Sequence, residues 1–125
     1  MPHRDTDALI VDDETDVCWA LGHILKGCGF TSISANSGEQ ALAFAEARRL
    51  RLIFVDAKLP DFDGIELARR LREKNPGAPI VLISGYFYRD DIEVHRAIAT
   101  KVISGFVSKP FLHDEVRAIL SRTLA

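Results

Sequence analysis

Short apolar runs alternate with longer stretches whose apolar positions recur at helical spacing, a pattern that predicts βαβ units around a parallel sheet. The run Ala8 to Val11 is too short for a helix and predicts a strand covered on both faces; it stops at Asp12-Asp13-Glu14. Val17, Leu21, Ile24, Leu25 and Cys28 then form one helical stripe, with Gly27 and Gly29 as stop signals. Phe30 to Ala35 predicts the second strand, and Ser37-Gly38-Glu39 opens a helix carrying Ala41, Leu42, Phe44, Ala45 and Leu50. Leu52 to Val55, the most hydrophobic run, predicts a third strand ending on Asp56. The turn Leu59 to Gly64 leads into a helix with Ile65, Leu67, Ala68 and Leu71 inward, closed by Asn75-Pro76-Gly77. Ile80 to Ile83 predicts the fourth strand, ending on Ser84-Gly85. A fifth unit follows, with a helix from about Arg89 to Thr100 carrying Ile92, Val94, Ala97 and Ile98, and a short strand from Gly105 to Ser108. That strand ends at Lys109-Pro110, and Leu112, Val116, Ile119 and Leu120 line the last helix.

The length of 125 residues suits one hydrophobic core, so residues 1–125 read as a single domain with its core from about 7 to 122. No apolar run approaches the roughly 18 residues of a membrane span. The start MPHRDTD has no signal-peptide core, so a cytoplasmic location is expected. A net charge of -2 provides no basic excess for a phosphate backbone, so direct nucleic-acid binding is not expected. Cys18 and Cys28 sit ten residues apart in one predicted helix, about 15 Å along its axis, which excludes a disulfide. They read as small core hydrophobes in a reducing compartment.

In open parallel sheets ligands bind outside the carboxyl ends of the strands, where strand order reverses. Asp12 and Asp13 follow strand one, Asp56 ends strand three, Ser84 ends strand four and Lys109 follows strand five. Three carboxylates gathered in one cleft repel one another until a proton or a divalent cation neutralises them. An oxygen-only ligand set points to Mg²⁺ before Zn²⁺, with Mn²⁺ as the alternative. An ammonium and a hydroxyl opposite such an ion are what phosphoryl oxygens require, and the site reads as phosphoryl chemistry on magnesium.

The motifs IVDDE (Ile10 to Glu14), FVDAKLPDFDG (Phe54 to Gly64), LISG (Leu82 to Gly85) and GFVSKPF (Gly105 to Phe111) together resemble the response regulator receiver domains of two-component signalling. The resemblance implies a doubly wound, flavodoxin-like (βα)5 sandwich with a five-stranded parallel sheet of order 2-1-3-4-5. It implies that Asp56 is the phosphoacceptor, taking its phosphoryl group from a phosphohistidine of a sensor kinase or histidine phosphotransfer protein. Asp12, Asp13, Asp56 and the backbone carbonyl of Lys58 are the implied Mg²⁺ ligands. By the same resemblance Ser84 and Lys109 would take phosphoryl oxygens, Ser84 and Phe106 would act as the switch pair, and Pro110 would carry a cis bond. The implied protein is a signalling switch that promotes its own phosphorylation and slow dephosphorylation, with output through the face of helix four, strand five and helix five, and is not a dedicated enzyme.

Other residues have plainer readings. Asp61 and Asp63 shape the turn into the third helix, and Asp12 to Glu14 can also cap the first. Tyr86-Phe87-Tyr88, with helix four, suggests a surface for a second copy or an effector, because three consecutive aromatics cannot all be buried. Lys58 and Tyr86, two residues beyond Asp56 and Ser84, predict a long-lived phosphoryl state. Lys101 to Gly105 departs from the family's usual Gly-Ala stretch. None of His3, His23, His95 and His113 is expected at the cleft. An aspartyl phosphatase would need a D-x-D pair and cap segments in place of DDE, and a flavin site would need a phosphate loop in place of three acids. A receiver-like module that only binds partners is the remaining alternative.

Overall fold

The computed structural model describes residues 5–85, 92–109, 111 and 113–124. Among them the order is β1 (Asp5–Val11), α1 (Thr15–Gly27), β2 (Ser32–Ala35), α2 (Gly38–Ala47), β3 (Arg49–Asp56), α3 (Gly64–Lys74), β4 (Ile80–Ser84), α4 (Ile92–Ala99), β5 (Gly105–Ser108) and α5 (His113–Thr123). The five strands form one parallel sheet, β2-β1-β3-β4-β5, as the motifs imply.

The apolar runs hide a period of two. Leu9, Val11, Ile53, Val55, Ile80 and Leu82 enter a core with the buried faces of α2 and α3 and with Ala97 of α4. Ala8, Ile10, Leu52, Phe54, Val81 and Ile83 enter a second core with α1 and α5. A strand that feeds two cores has no polar face, which is why Ile53 to Asp56 is buried throughout.

Several boundaries differ from the sequence pattern. β1 begins at Asp5, three residues before its apolar run, because the backbone of Asp5 and Thr6 pairs with Arg49 and Leu50. Leu50 therefore belongs to β3 and not to the second helix. That helix ends at Ala47, Arg48 is already extended, and the Leu50 amide donates to Asn75 Oδ1 at 3.2 Å. Cys18 is buried in the core as expected, with Leu21, Ile24 and Leu25 of α1, while Val17, placed on the stripe, and Cys28 are half-buried. Both cysteines are free. In α4 Ala97 faces the core and Ile98 does not, which accounts for the untidy spacing there. The side chains of Ile92 and Val94 and the residues Arg89 to Asp91 lie outside the described residues, as does Leu112. Val116, Ile119 and Leu120 of α5 are buried as expected.

Candidate functional site

Sheet register alone brings the strand-end residues together. Val11 pairs with Val55, so Asp12 and Asp56 leave β1 and β3 at the same level. Asp56 pairs with Ile83 and Ser84 with Ser108, which puts Ser84 and Lys109 one step further out along the same edge. The Lys109 amide donates to the Ser84 carbonyl at 2.6 Å, fixing the start of the chain beyond β5.

Asp12 is fully buried and Asp56 nearly so, whereas Asp13 is exposed. Each of the three offers a carboxylate oxygen within 4.8 Å of the others. Asp12 Oδ1 accepts the Glu14 amide at 2.9 Å, and Asp56 Oδ1 accepts the Lys58 amide at 3.3 Å. The Lys109 ammonium lies 2.9 Å from Asp12 Oδ2, 3.0 Å from Glu14 Oε1 and 3.6 Å from Asp56 Oδ2. The Lys109 ammonium is thus an ion-pair partner of Asp12 Oδ2, and no backbone amide reaches this buried oxygen. The cleft between these groups is about 250 Å³, lined by Asp13, Glu14, Asp56, Ala57, Lys58, Gly85 and Lys109. A larger hollow of about 620 Å³ opens at the opposite sheet edge around Cys28, Arg51 and Arg117, and no carboxylate lines it.

These residues suit a hard divalent cation. The donors are all oxygen and three carboxylates meet within 4.8 Å, the donor set that a small hard ion such as Mg²⁺ takes.

Burial first, and then the Asp12 charge, lift the Asp56 carboxyl to about 6, with Asp13 adding to the rise and the Lys58 amide and Lys109 opposing it. Burial pulls the Lys109 ammonium down, but the carboxylates of Asp12, Glu14 and Asp56 outweigh it and hold the group above the ordinary lysine range. A pKa raised by folding from 3.8 to about 6 means that the folded state binds this proton more tightly. The resulting stability is present below pH 4 and is lost as pH rises through about 6, amounting to no more than about 3 kcal/mol. In EDTA, the urea midpoint of the native protein is therefore expected to fall between pH 4.5 and 7 relative to that of Asp56→Asn. Parallel pH profiles for the two proteins would contradict this electrostatic account.

Ser84 is buried at its predicted place, and Phe106 is half-buried against the α2 and α3 core. Asp63 caps α3 as expected, accepting the Glu66 amide at 3.1 Å. Asp61 does not shape that helix start. Its two oxygens accept the Gly38 and Glu39 amides of α2 at 2.9 and 3.1 Å, a contact across more than twenty residues that local turn chemistry does not reveal. The sequence pattern also gave no sign of Trp19, which is 72% exposed on α1 and stacks on His23 with ring centroids 5.4 Å apart. Pro110 and the Tyr86-Phe87-Tyr88 loop lie outside the described residues.

Residues 8–121 match the family model of the response regulator receiver domain. The nitrogen assimilation regulatory protein NtrX of Azorhizobium caulinodans is 37% identical over 120 residues, covering 94% of this chain and 26% of its own length. A response regulator from Burkholderia pseudomallei, solved with a phosphorylated aspartic acid, a calcium ion and citrate, superposes with a TM-score of 0.80 at 25% identity, over 93% of this chain and 66% of that one. The response regulator TrrA of Thermotoga maritima, solved with Mg(2+)-BeF, superposes with a TM-score of 0.80 at 28% identity, over 94% and 98%. The chain spans between about a quarter and a half of the length of the curated relatives it matches. Among the described residues no helix is long and apolar enough to cross a membrane.

Proposed function

The chain belongs to the response regulator receiver domain family, whose members are phosphorylation-based signalling modules and not dedicated enzymes, and from that premise we propose that Asp56 accepts a phosphoryl group from the phosphohistidine of a sensor kinase or phosphotransfer protein. Residues 1–125 form a single such domain in this reading. The observation that carries it is the meeting of Asp12, Asp13 and Asp56 within 4.8 Å, with the Lys109 ammonium among them.

An ionised Asp56 oxygen attacks phosphorus as the P–N bond to the donor imidazole breaks, and a P–O bond forms to give an acyl phosphate. Asp12, Asp13, Asp56 and the Lys58 carbonyl are the proposed holders of Mg²⁺, which when bound offsets the charge of the carboxylates and of the transferring group. Lys109 stays beside Asp56 to take a phosphoryl oxygen, and Ser84 takes another. A loose transition state needs positioned charge above all, and these groups are fixed by strand ends before the donor arrives. Movement of Ser84 toward the phosphoryl group makes room for Phe106 to turn inward, so the signal leaves through α4, β5 and α5. The solved relatives carrying a phosphorylated aspartic acid and Mg(2+)-BeF support this reading of the site.

Intact-mass spectrometry after incubation with a small acyl phosphate tests it. The native protein is expected to gain one phosphoryl group with Mg²⁺ and none in EDTA. No gain under either condition, nor from a phosphohistidine-bearing donor protein, overturns the reading and leaves a module that only binds partners.

A further inference from the structure

The first four amides of a helix have no partner inside it, and α2 meets that need unusually. Ser37 Oγ accepts the Gln40 amide at 3.1 Å, an ordinary local cap, and the Ala41 amide donates to the Ser37 carbonyl at 3.1 Å. The Gly38 and Glu39 amides instead donate to the two oxygens of Asp61, in the loop between β3 and α3. A carboxylate is well matched to the positive end of a helix dipole, and the Gly38 amide does most to hold the Asp61 carboxyl below its ordinary range.

The neighbouring contacts make this a joint between two elements. The Phe62 ring lies directly over Gly38, so close that a β-carbon there would collide with it, and the Arg70 guanidinium covers the ring at 5.2 Å from its centroid. At the far ends of the same two helices Lys74 Nζ lies 2.7 Å from Glu46 Oε1, and Asn75 Nδ2 donates to the Ala45 carbonyl at 3.2 Å. α2 and α3 are thus fastened at both ends. The first of these fastenings holds the short loop that runs from Asp56 to the start of α3. Its inner end is held by the Lys58 amide on Asp56 Oδ1 and by the Gly64 amide on the Ala57 carbonyl at 2.9 Å. Its outer end is held by Asp61.

We propose that Asp61 is a positioning residue for the metal site, fixing the loop against the N-terminus of α2 so that the Lys58 backbone carbonyl is presented beside Asp56. The inference rests on the reading of Asp12, Asp13, Asp56 and Lys58 as the Mg²⁺ ligands. A backbone ligand has no rotamer of its own, so its position is only as well defined as the loop that carries it. Within the loop the Lys58–Asp63 bridge and the Leu59 amide on the Phe62 carbonyl at 3.2 Å tie the two limbs together, so the loop moves as a unit. Releasing Asp61 from α2 frees that unit at its outer end, lets the Lys58 carbonyl shift with it, and raises the ordering cost of the bound state.

Calorimetric titration with Mg²⁺ alone tests this on the native protein, Asp61→Ala, Asp61→Asn and Ser37→Ala. Ser37→Ala removes a cap from the same helix end and leaves the loop attached, so it reports what a purely structural loss does. Asp61→Ala is expected to weaken Mg²⁺ on the order of tenfold, the low end for groups that orient metal ligands, with Ser37→Ala within about twofold of native. Asp61→Asn keeps one carbonyl acceptor and is expected to fall between them. It also carries the test should the alanine variant fail to fold. Hydrogen exchange at the Gly38 and Glu39 amides is expected to quicken in Asp61→Ala, showing that the joint has opened. Quickened exchange with unchanged Mg²⁺ affinity, or equal losses in Asp61→Ala and Ser37→Ala, overturns the inference alone. A native protein that binds no Mg²⁺ overturns the metal reading, and the inference with it.

Discussion

Replacing Asp56 with asparagine is expected to reduce the phosphoryl gain from a small acyl phosphate to background, while the protein stays folded and becomes more stable near neutral pH. Both effects come from the same surroundings. Asp56 is 6% exposed, and its Oδ2, 3.6 Å from the Lys109 ammonium, faces the cleft. An amide oxygen there is no nucleophile toward phosphorus, and among the described residues lining the cleft neither a histidine nor a cysteine can replace it. Meanwhile burial and the Asp12 charge no longer oppose a negative group at that position, since asparagine carries none. Intact-mass spectrometry and urea unfolding of the same preparation check the two halves together. Phosphorylation that persists in the variant places the acceptor on another carboxylate, Asp12 or Asp13. Loss of both reactivity and stability would mean that the carboxylate is needed for folding, contrary to the direction of its pKa shift.

The strand-end residues were legible because a parallel sheet converts sequence order into spatial order. Once Ala8 to Val11, Leu52 to Val55 and Ile80 to Ile83 are read as buried strands, the residue that follows each must emerge at one edge, and Asp12, Asp56 and Ser84 do so. Lys109 was legible for the same reason. Pattern reading failed where a residue's role depends on a distant partner. Leu50 follows the apolar residues Ala41 to Ala45 closely enough to be read into the same helix, yet pairing with Thr6 and the hydrogen bond to Asn75 draw it into β3. Asp61 has the composition of a turn residue, and only tertiary structure brings the N-terminus of α2 to it. Cys18 reads correctly as a core residue, but Val17, one position and about 100° of rotation away, also fits an apolar stripe and is only half-buried once α1 packs. Trp19 is apolar by composition and exposed by the same rotation, which no count of hydrophobic residues can show.

A second consequence concerns a glycine beside Asp56, the proposed acceptor. Gly64→Ala is expected to destabilise the protein by about 3 kcal/mol and to slow phosphorylation, whereas Gly38→Ala, at the matching position of another helix, is expected to be milder. Each glycine opens a helix directly after its capping side chain, Asp63 or Ser37, so the helix preference for alanine over glycine favours both variants alike. They differ in what a new β-carbon meets. At Gly64 it runs into the carbonyl oxygen of Asp56 and comes within 2.7 Å of Ala57 Cα, and both obstacles are backbone. That backbone cannot yield easily. The Ala57 amide is bonded to the Ile83 carbonyl at 2.7 Å, and the Ala57 carbonyl receives the Gly64 amide itself. At Gly38 the obstacle is the Phe62 ring, which can swing aside at the expense of its contact with Arg70. To accommodate alanine at 64, the start of α3 must retreat from the peptide that carries the acceptor, moving Asp56 relative to Lys109 and Asp12. Urea unfolding and the rate of phosphorylation by a small acyl phosphate, measured on both variants, separate the cases. If Gly64→Ala is the milder of the two, or destabilises without slowing phosphorylation, then the close approach of α3 to β3 does not set the acceptor's position.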